Sequence, residues 1–448
     1  MKSLQRMSDR LRTNQRAFNV GLGTLVVVTC IFYLAFGLYY ATQLTPSDKS
    51  SLGLTGEAFL QSFTSWGTVR EADSAIHNRT AIEILKTGVP RTISGRLFLH
   101  APVYSYFVAA CYWAGGIRLI SVALPQAVLG GLVGLLLALT ARRIAPQHPP
   151  LAALATAILV LINVRLAMYV AYINPTVPLM FLLALALFYA TRLDTVRGST
   201  GFAVAMILGT YTQATFFVTA VPAAAWILIR SGKPKRRAPL VGALCVIGFA
   251  ILKVTLGLLD QPTASYDFQH DAERSMAWYA NNPQYDDLTW RSWWTWQRKE
   301  PPTEEQMSRY NDYLARSHNR PMRATLLWIT ENPARYAMLC FVRLKSELGP
   351  FTGQMSPRNR QISSVIWLLI FPAGFYGLWT YRHQQLTHLA MVIVLAVMAF
   401  GTLVIEEPYL RYRMPVDLLL TVFAGVAYAE WLSRSLRDSN SSNTEAIR

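Results

Sequence analysis

Long runs of apolar residues recur along this chain and predict helices that cross a membrane. Two of them, Val20 to Thr42 and Leu119 to Thr140, contain no charged residue. A helix needs about 20 apolar residues to cross a hydrocarbon core of about 30 Å. The predicted spans are 17–40, 118–141, 150–170, 174–191, 200–216, 217–230, 239–258, 361–380, 386–405 and 412–432. The pattern therefore predicts an all-α polytopic membrane protein with about ten transmembrane helices.

The positions of Arg and Lys orient these spans. Five basic residues precede the first span, which places the N-terminus in the cytoplasm. The stretch 101–117 is apolar but short, and Pro102 and several tyrosines interrupt it. If it does not span, the loops rich in Arg and Lys, including 233–237, all face the cytoplasm. We therefore expect both termini in the cytoplasm and a juxtamembrane or re-entrant helix at 101–117 on the outer face.

This map predicts two large segments on the periplasmic side. The organisation is a cytoplasmic tail at 1–16, a first transmembrane helix at 17–40, a periplasmic loop with juxtamembrane helices at 41–117, a transmembrane bundle at 118–258, a second periplasmic segment at 259–360, transmembrane helices at 361–432 and a disordered cytoplasmic tail at 433–448. Polar and titratable residues gather in the two periplasmic segments. Any chemistry is therefore expected at the outer face of an inner membrane.

Composition supports the membrane assignment. Hydrophobic residues make up 52% of the chain and charged residues 15%, well below the charged fraction of soluble domains. The net charge of +17 is typical of the positive-inside bias and does not require a nucleic-acid partner. The four cysteines show no spacing typical of a disulfide framework or a metal site. Arg165 and Lys253 lie in apolar spans, where each either faces a cavity or snorkels.

The first periplasmic loop contains a short predicted helix that starts near an acidic residue. Asp73 and His77 are four residues apart and so share one face of that helix. Gly88 followed by Pro90 predicts the end of the helix. A carboxylate in the first turn is also favoured by the helix dipole alone, and Glu71 lies only two residues earlier.

The last predicted span begins beside a dense charge cluster that contains Glu406, Glu407, Arg411 and Arg413. Arginines on the outer side either extend their charged ends to the membrane surface or need an anionic partner. That partner is either the neighbouring glutamates or an anionic ligand. Pro415 disfavours helical geometry just before it, so we expect an extended segment in which both arginines share one side.

Several of these positions resemble the pattern of integral-membrane (GT-C type) glycosyltransferases, in particular protein O-mannosyltransferases and lipid A aminoarabinose transferases. The matching elements are Asp73, Ala81-Ile-Glu-Ile-Leu-Lys-Thr-Gly88, His100-Ala-Pro-Val-Tyr104, Arg118, Ala141-Arg-Arg143 and Arg411-Tyr-Arg-Met-Pro415. The resemblance covers most of the chain in layout but few positions in identity. Many relatives have Asp-Glu where this chain has Asp73-Ser74, Tyr at the position of His77, and His-Pro-Pro at 100–102. These departures leave Glu71 as an alternative catalytic acid.

The resemblance implies an inverting transfer of a sugar from a polyprenyl-phosphate donor to a lipid, polysaccharide or protein acceptor. The implied catalytic acid is Asp73 or Glu71. The implied ligands of the donor phosphate are Arg411 and Arg413. If those two only pair with Glu406 and Glu407, the alternative phosphate ligands are Arg343 and Lys345, where the second periplasmic segment returns to the membrane. The implied substrate-binding residues are His77, His100, Tyr104, Tyr412 and Glu407.

Other functions stay open at the level of sequence. One alternative is a transporter or flippase for a lipid-linked glycan, and another is a polysaccharide ligase or polymerase that uses a diphosphate-linked donor. No cofactor is required by the pattern. A divalent metal held by Asp73, His77 and His100 is a further alternative, although one loop with these spacings is a weak metal motif.

Overall fold

The chain is described by a computed structural model, which covers residues 15–42, 73–90, 102–230, 242–249, 308, 311–313, 315–318, 321–350, 357–403 and 410–445. Every regular element in these ranges is a helix. The helices are α1 Gln15–Thr42, α2 Asp73–Thr87, α3 Pro102–Gly115, α4 Leu119–Ile144, α5 Pro149–Leu161, α6 Val164–Met168, α7 Thr176–Ala190, α8 Val196–Thr212, α9 Phe217–Arg230, α10 242–249, α11 Pro321–Glu331, α12 Pro333–Leu348, α13 Pro357–Thr380, α14 Gln385–Leu403 and α15 Leu410–Glu445. Short 3₁₀ turns follow α6 at Tyr169–Ala171 and precede α9 at Ala214–Phe216.

This is a multi-pass membrane protein. Among the described residues, five helices are long and apolar enough to cross a membrane, or six if α5 and the segment Val164–Ala171 form one bent span. That pair corresponds to the single span predicted at 150–170, and it bends by 44°. The bend lies where the Asn163 side chain accepts a hydrogen bond from the backbone of Leu166 and starts a new helix. The larger count of about ten spans stays a prediction, because α7 and α9 are only 15 and 14 residues long.

The chain divides into two units. Unit 1 contains residues 1–250, 365–393 and 414–448, and unit 2 contains residues 251–364 and 394–413. In unit 1, close helix packing depends on small residues, as is usual in membranes. A Cβ atom at Gly130 would lie 2.6 Å from the ring of Tyr33, whose hydroxyl donates a hydrogen bond to the Val160 carbonyl. Gly130 therefore lets α1 lie directly against α4.

Helices α2 and α3 form where the sequence predicts them. Gly88 has a φ of +76° and its N–H bonds to the Ile84 carbonyl, so it ends α2 in the left-handed conformation that favours glycine. Helix α3 has 14 residues and is not among the candidate spans of the described residues. It is about 21 Å long, shorter than a hydrocarbon core of about 30 Å. That it does not span stays a prediction, as do the spans at α7 and α9.

Helix α15 differs from the prediction at its polar end. It continues to Glu445, whereas the sequence predicts a disordered tail at 433–448. Each residue added to an existing helix gains one backbone hydrogen bond, so a long apolar helix can extend into a polar sequence. An ion pair between Glu430 and Arg434, one turn apart, also favours this extension.

Candidate functional site

A layer of buried polar side chains joins α2 to α3 in unit 1. His77 is 5% exposed, and its Nδ1 lies 3.1 Å from the Ser105 hydroxyl oxygen. The His77 ring meets the edge of Tyr104, with centroids 4.8 Å apart and an interplanar angle of 88°. Asn78 is fully buried, and its Oδ1 accepts a hydrogen bond of 2.6 Å from the Tyr112 hydroxyl. The polar face of α2 is therefore held in one position against α3.

The same layer continues into the bundle through Gln126 of α4. The Tyr104 hydroxyl donates to Oε1 of Gln126 at 3.2 Å. Nε2 of Gln126 then donates to the carbonyls of Val170 and Tyr172, each at 2.8 Å. Gln126 is fully buried. These bonds satisfy backbone carbonyls at the irregular segment after α6, and they connect α3 to the core of unit 1.

Burial favours the neutral forms of three groups of α3, those of Tyr104, Cys111 and Tyr112. It raises the pKa of the Tyr104 hydroxyl well above its usual value, and neighbouring Tyr112 and Cys111 raise it further. It also raises the pKa of the Tyr112 hydroxyl. The pKa of the Cys111 thiol is raised by burial to about 11, so little thiolate exists at neutral pH. The two tyrosines thus act as hydrogen-bond donors, and α3 supplies no thiolate nucleophile.

One of the two predicted catalytic acids lies in α2. Asp73 is the first residue of that helix, but its side chain is outside the described residues. Glu71, His100 and Glu407 are likewise outside them. Their roles stay predictions.

A second buried cluster lies in unit 2, at the C-terminal end of α12. Arg343, Glu347 and Arg413 are 6%, 3% and 3% exposed, and they are the buried charged side chains among the described residues of this unit. Nη1 of Arg413 donates to the carbonyl of Glu347 at 2.7 Å and also to that of Gly349. Arg343 and Glu347 are four residues apart and so share one face of α12.

Arg343 connects this cluster to the end of α14. Its Nη1 lies 3.4 Å from the Thr402 carbonyl, and the nearby Tyr336 hydroxyl donates to the Leu403 carbonyl at 2.9 Å. Gly401 allows close packing here, because a Cβ atom there would lie 3.1 Å from the Glu347 carboxylate. Both arginines thus bind carbonyls at helix C-terminal ends, a position that the helix dipole favours for cations.

The expectation of an extended segment at Arg411 and Arg413 is wrong. Helix α15 begins at Leu410 and includes both residues. Membrane helices tolerate an internal proline such as Pro415, because neighbouring groups satisfy the backbone that it leaves unbonded. Residues two apart on a helix point about 200° apart, so these two arginines cannot both face one phosphate. The side chains of Arg411 and Tyr412 are outside the described residues.

Lys345 is separated from the buried arginines. It is exposed, whereas Arg343 is buried two residues earlier on the same helix. Of the predicted phosphate ligands on the described residues, Arg343 and Arg413 are buried in unit 2, whereas Lys345 is exposed.

A buried ion pair lies in the bundle of unit 1, and the sequence analysis identifies only its arginine. Nη1 of Arg165 lies 2.7 Å from Oδ2 of Asp417, and the two side chains are 2% and 3% exposed. Asp417 was not among the predicted site residues. A single aspartate in the apolar run 412–432 was a usable signal, since an acid inside a membrane span needs a partner.

No group of three His, Cys, Asp or Glu residues capable of holding a metal occurs within the described parts of the chain. The alternative of a metal at Asp73, His77 and His100 depends on side chains outside those parts. It stays untested.

Comparison with known proteins finds solved structures with a similar fold. No protein-family model matches the sequence, and no curated protein does either. The structure resembles the archaeal oligosaccharyltransferase AglB from Archaeoglobus fulgidus in complex with an inhibitory peptide and a dolichol-phosphate, with a TM-score of 0.51, 11% identity and coverage of 93% of this chain and 52% of that chain. An oligosaccharyltransferase from the same organism, tethered by a disulfide bond to an acceptor peptide, matches with a TM-score of 0.51, 11% identity and coverage of 92% and 50%.

A further match is ArnT from Cupriavidus metallidurans bound to undecaprenyl phosphate, with a TM-score of 0.38, 12% identity and coverage of 80% of this chain and 74% of that chain. This chain spans about half the length of the oligosaccharyltransferases that it matches. The likeness to those enzymes assigns the GT-C type fold, as the sequence resemblance predicts.

Proposed function

We propose that this protein is a GT-C type glycosyltransferase that moves a sugar from a polyprenyl-phosphate donor to an acceptor at the periplasmic face of the inner membrane. The observation that carries the proposal is the burial of Arg343 and Arg413 at one end of α12. Both residues are predicted phosphate ligands, although 70 positions separate them in the sequence. The fold is consistent with this function, and the matched archaeal enzyme was solved with a dolichol-phosphate.

The reaction requires little beyond a base and fixed cations. The acceptor hydroxyl loses its proton to a carboxylate, its oxygen forms a bond to the anomeric carbon, and the bond from that carbon to the phosphate oxygen breaks. The polyprenyl phosphate leaves with the electron pair, and positive groups stabilise its growing charge. Attack from the face opposite the phosphate inverts the configuration.

In this proposal the base is Asp73, with Glu71 as the alternative. The first position of a helix favours an ionised carboxylate, which a general base requires. His77 and Tyr104 are buried between α2 and α3, so we assign them to positioning α2 rather than to direct contact with the sugar. His100, Tyr412 and Glu407 remain proposed substrate-binding residues.

The buried arginines are assigned to the donor phosphate. Two guanidinium groups are buried in the described part of unit 2, and a buried cation is compatible with an anionic ligand. Arginine also suits phosphate because its fork of N–H donors matches two oxygens. The contacts of Arg413 with two carbonyls serve stability as well, so the test must separate affinity from folding.

The decisive experiment follows a labelled sugar on the purified protein in nanodiscs. Transfer from a polyprenyl monophosphate donor supports the proposed function. Transfer only from a diphosphate-linked oligosaccharide supports the polymerase or ligase alternative, which the likeness to oligosaccharyltransferases favours as a second candidate. Movement of the lipid between leaflets with no bond broken supports a flippase.

Removing either buried arginine should weaken donor use. We expect Arg343→Gln and Arg413→Gln each to raise the apparent KM for the lipid donor by about tenfold or more, since each loses a charge-assisted bond to phosphate. Lysine at either position should restore donor use only in part. The measurement is the apparent KM beside the melting temperature of each variant.

Lys345→Gln provides the comparison, since it removes the same charge from the exposed side of α12. It should change the KM much less. Lower melting temperatures with an unchanged KM for both arginine variants would limit these residues to a structural role.

Thiol labelling tests the proposed topology. In a variant without the four native cysteines, Ser94→Cys and Asn311→Cys should react with an impermeant thiol reagent added outside the cell. Lys235→Cys should react only after the cells are permeabilised, because its loop carries the densest cluster of basic residues. Labelling of Lys235→Cys in intact cells would contradict the topology.

A further inference from the structure

A cavity of about 360 Å³ lies in unit 1, apart from the residues assigned to transfer. The C-terminal ends of α4, α7 and α9 surround it together with the start of α14. Its polar lining comes from Arg143, Thr191, Asp194, Arg230, Gln384 and Gln385. The loops that carry these residues are those that the basic residues assign to the cytoplasmic side.

The two arginines of the cavity are held by their neighbours. Nη1 of Arg143 donates to the Phe188 carbonyl at 3.1 Å and to the Thr191 hydroxyl, and its guanidinium lies 4.1 Å from the centre of the Phe188 ring. Nη2 of Arg230 donates to Nδ1 of His388 at 2.9 Å. Such contacts orient a guanidinium before a ligand arrives, which lowers the entropic cost of binding.

Charge at the cavity favours an anion. Two arginines face one carboxylate, that of Asp194, in the lining. The exposed Arg192 lies close enough to Arg143 for mutual repulsion, which an anion between them would relieve. Arg230 is exposed at the end of α9, so it can reach a ligand without moving the helix.

The remaining wall is apolar. It is formed by Ile144, Ala190, Leu193, Trp226, Ile227 and Leu386. The centre of the Trp226 ring lies 5.7 Å from the Arg230 guanidinium carbon. The arginines suit the charged headgroup of a lipid. The apolar wall suits the glycerol and first acyl carbons below that headgroup. Basic pockets between transmembrane helices on the cytoplasmic side are suited to such headgroups.

We propose that this cavity binds a phosphate-bearing headgroup, supplied by an anionic phospholipid of the cytoplasmic leaflet. Arg230 and Arg143 contact the phosphate, and Trp226 packs against the glycerol region. The site is independent of the proposed transfer reaction, so either proposal can fail alone.

The test measures lipid retained by the full-length protein. Protein from nanodiscs of phosphatidylcholine with phosphatidylglycerol is analysed by native mass spectrometry, and its melting temperature is compared with that in phosphatidylcholine alone. The wild type should retain phosphatidylglycerol and melt higher in its presence. Arg230→Gln should reduce retention by about fivefold, the effect of one basic residue at a membrane surface.

Three variants test whether phosphatidylglycerol is retained at the cavity. Arg197→Gln removes an exposed arginine outside the lining and should retain lipid as the wild type does. Asp194→Asn removes the opposing carboxylate and should increase retention, and Arg230→Lys should give an intermediate value. Equal losses for Arg230→Gln and Arg197→Gln would overturn the site, since they would indicate only general surface charge.

A separate arm identifies the source of the phosphate. Inorganic phosphate is added to delipidated protein in neutral detergent. If it raises the melting temperature in an Arg230-dependent way while phosphatidylglycerol does not, the lipid assignment is overturned and the ligand is a soluble phosphate. If Arg230→Gln does not fold, the gain expected from Asp194→Asn still tests the proposal.

Discussion

Asp73→Asn should lower sugar transfer by about 10²-fold or more while the protein folds normally. The amide keeps the size and hydrogen-bonding capacity of the side chain but cannot accept the acceptor proton. The loss should appear in kcat, because the donor phosphate is held elsewhere in the proposed mechanism. Single-turnover transfer from a labelled polyprenyl-phosphate sugar measures it.

Glu71→Gln is the matched control, since it removes a carboxylate two residues earlier in the same segment. It should have a smaller effect on kcat. The reverse order would identify Glu71 as the base and place the resemblance two residues out of register. Equal and small effects of both substitutions would contradict a base in this loop.

Breaking the buried ion pair in the bundle should cause the largest loss of stability. Asp417→Asn leaves the Arg165 guanidinium, 2% exposed, without its charged partner. Removing one member of a buried pair typically costs about 3–5 kcal/mol. We expect the melting temperature in nanodiscs to fall strongly for Asp417→Asn and for Arg165→Met.

The double variant tests the cause of that loss. Arg165→Met combined with Asp417→Leu removes both charges and should recover much of the stability, because no buried charge is left uncompensated. Asp312→Asn, which changes an aspartate whose side chain is 63% exposed, should leave the melting temperature nearly unchanged. If Asp417→Asn lowers the melting temperature no more than Asp312→Asn does, the pair is not important for folding.

The helices of this protein are largely a local property of the sequence. In a hydrocarbon core each backbone N–H and C=O must be bonded within its own segment, so apolar runs such as Leu119–Ile144 become helices. The end of α2 is equally local, because Gly88 can adopt a positive φ without steric cost. These features need no knowledge of the rest of the chain.

Local rules were wrong for one segment and missed a bend in another. Pro415 predicts an extended segment before it, but α15 is helical from Leu410. The span predicted at 150–170 bends near Asn163, whose side chain satisfies the backbone at the start of α6. Hydropathy records the length of an apolar run, and it contains no information on which carbonyls a distant side chain will bind.

The sequence by itself therefore determined the membrane class, the positions of most helices and the residue types available for chemistry. Only the tertiary structure decided which of those residues meet. Arg165 and Asp417 are separated by 252 positions, and His77 and Ser105 by 28. A polar side chain in a membrane protein must find a partner, but the packing of the whole bundle determines which partner lies within reach.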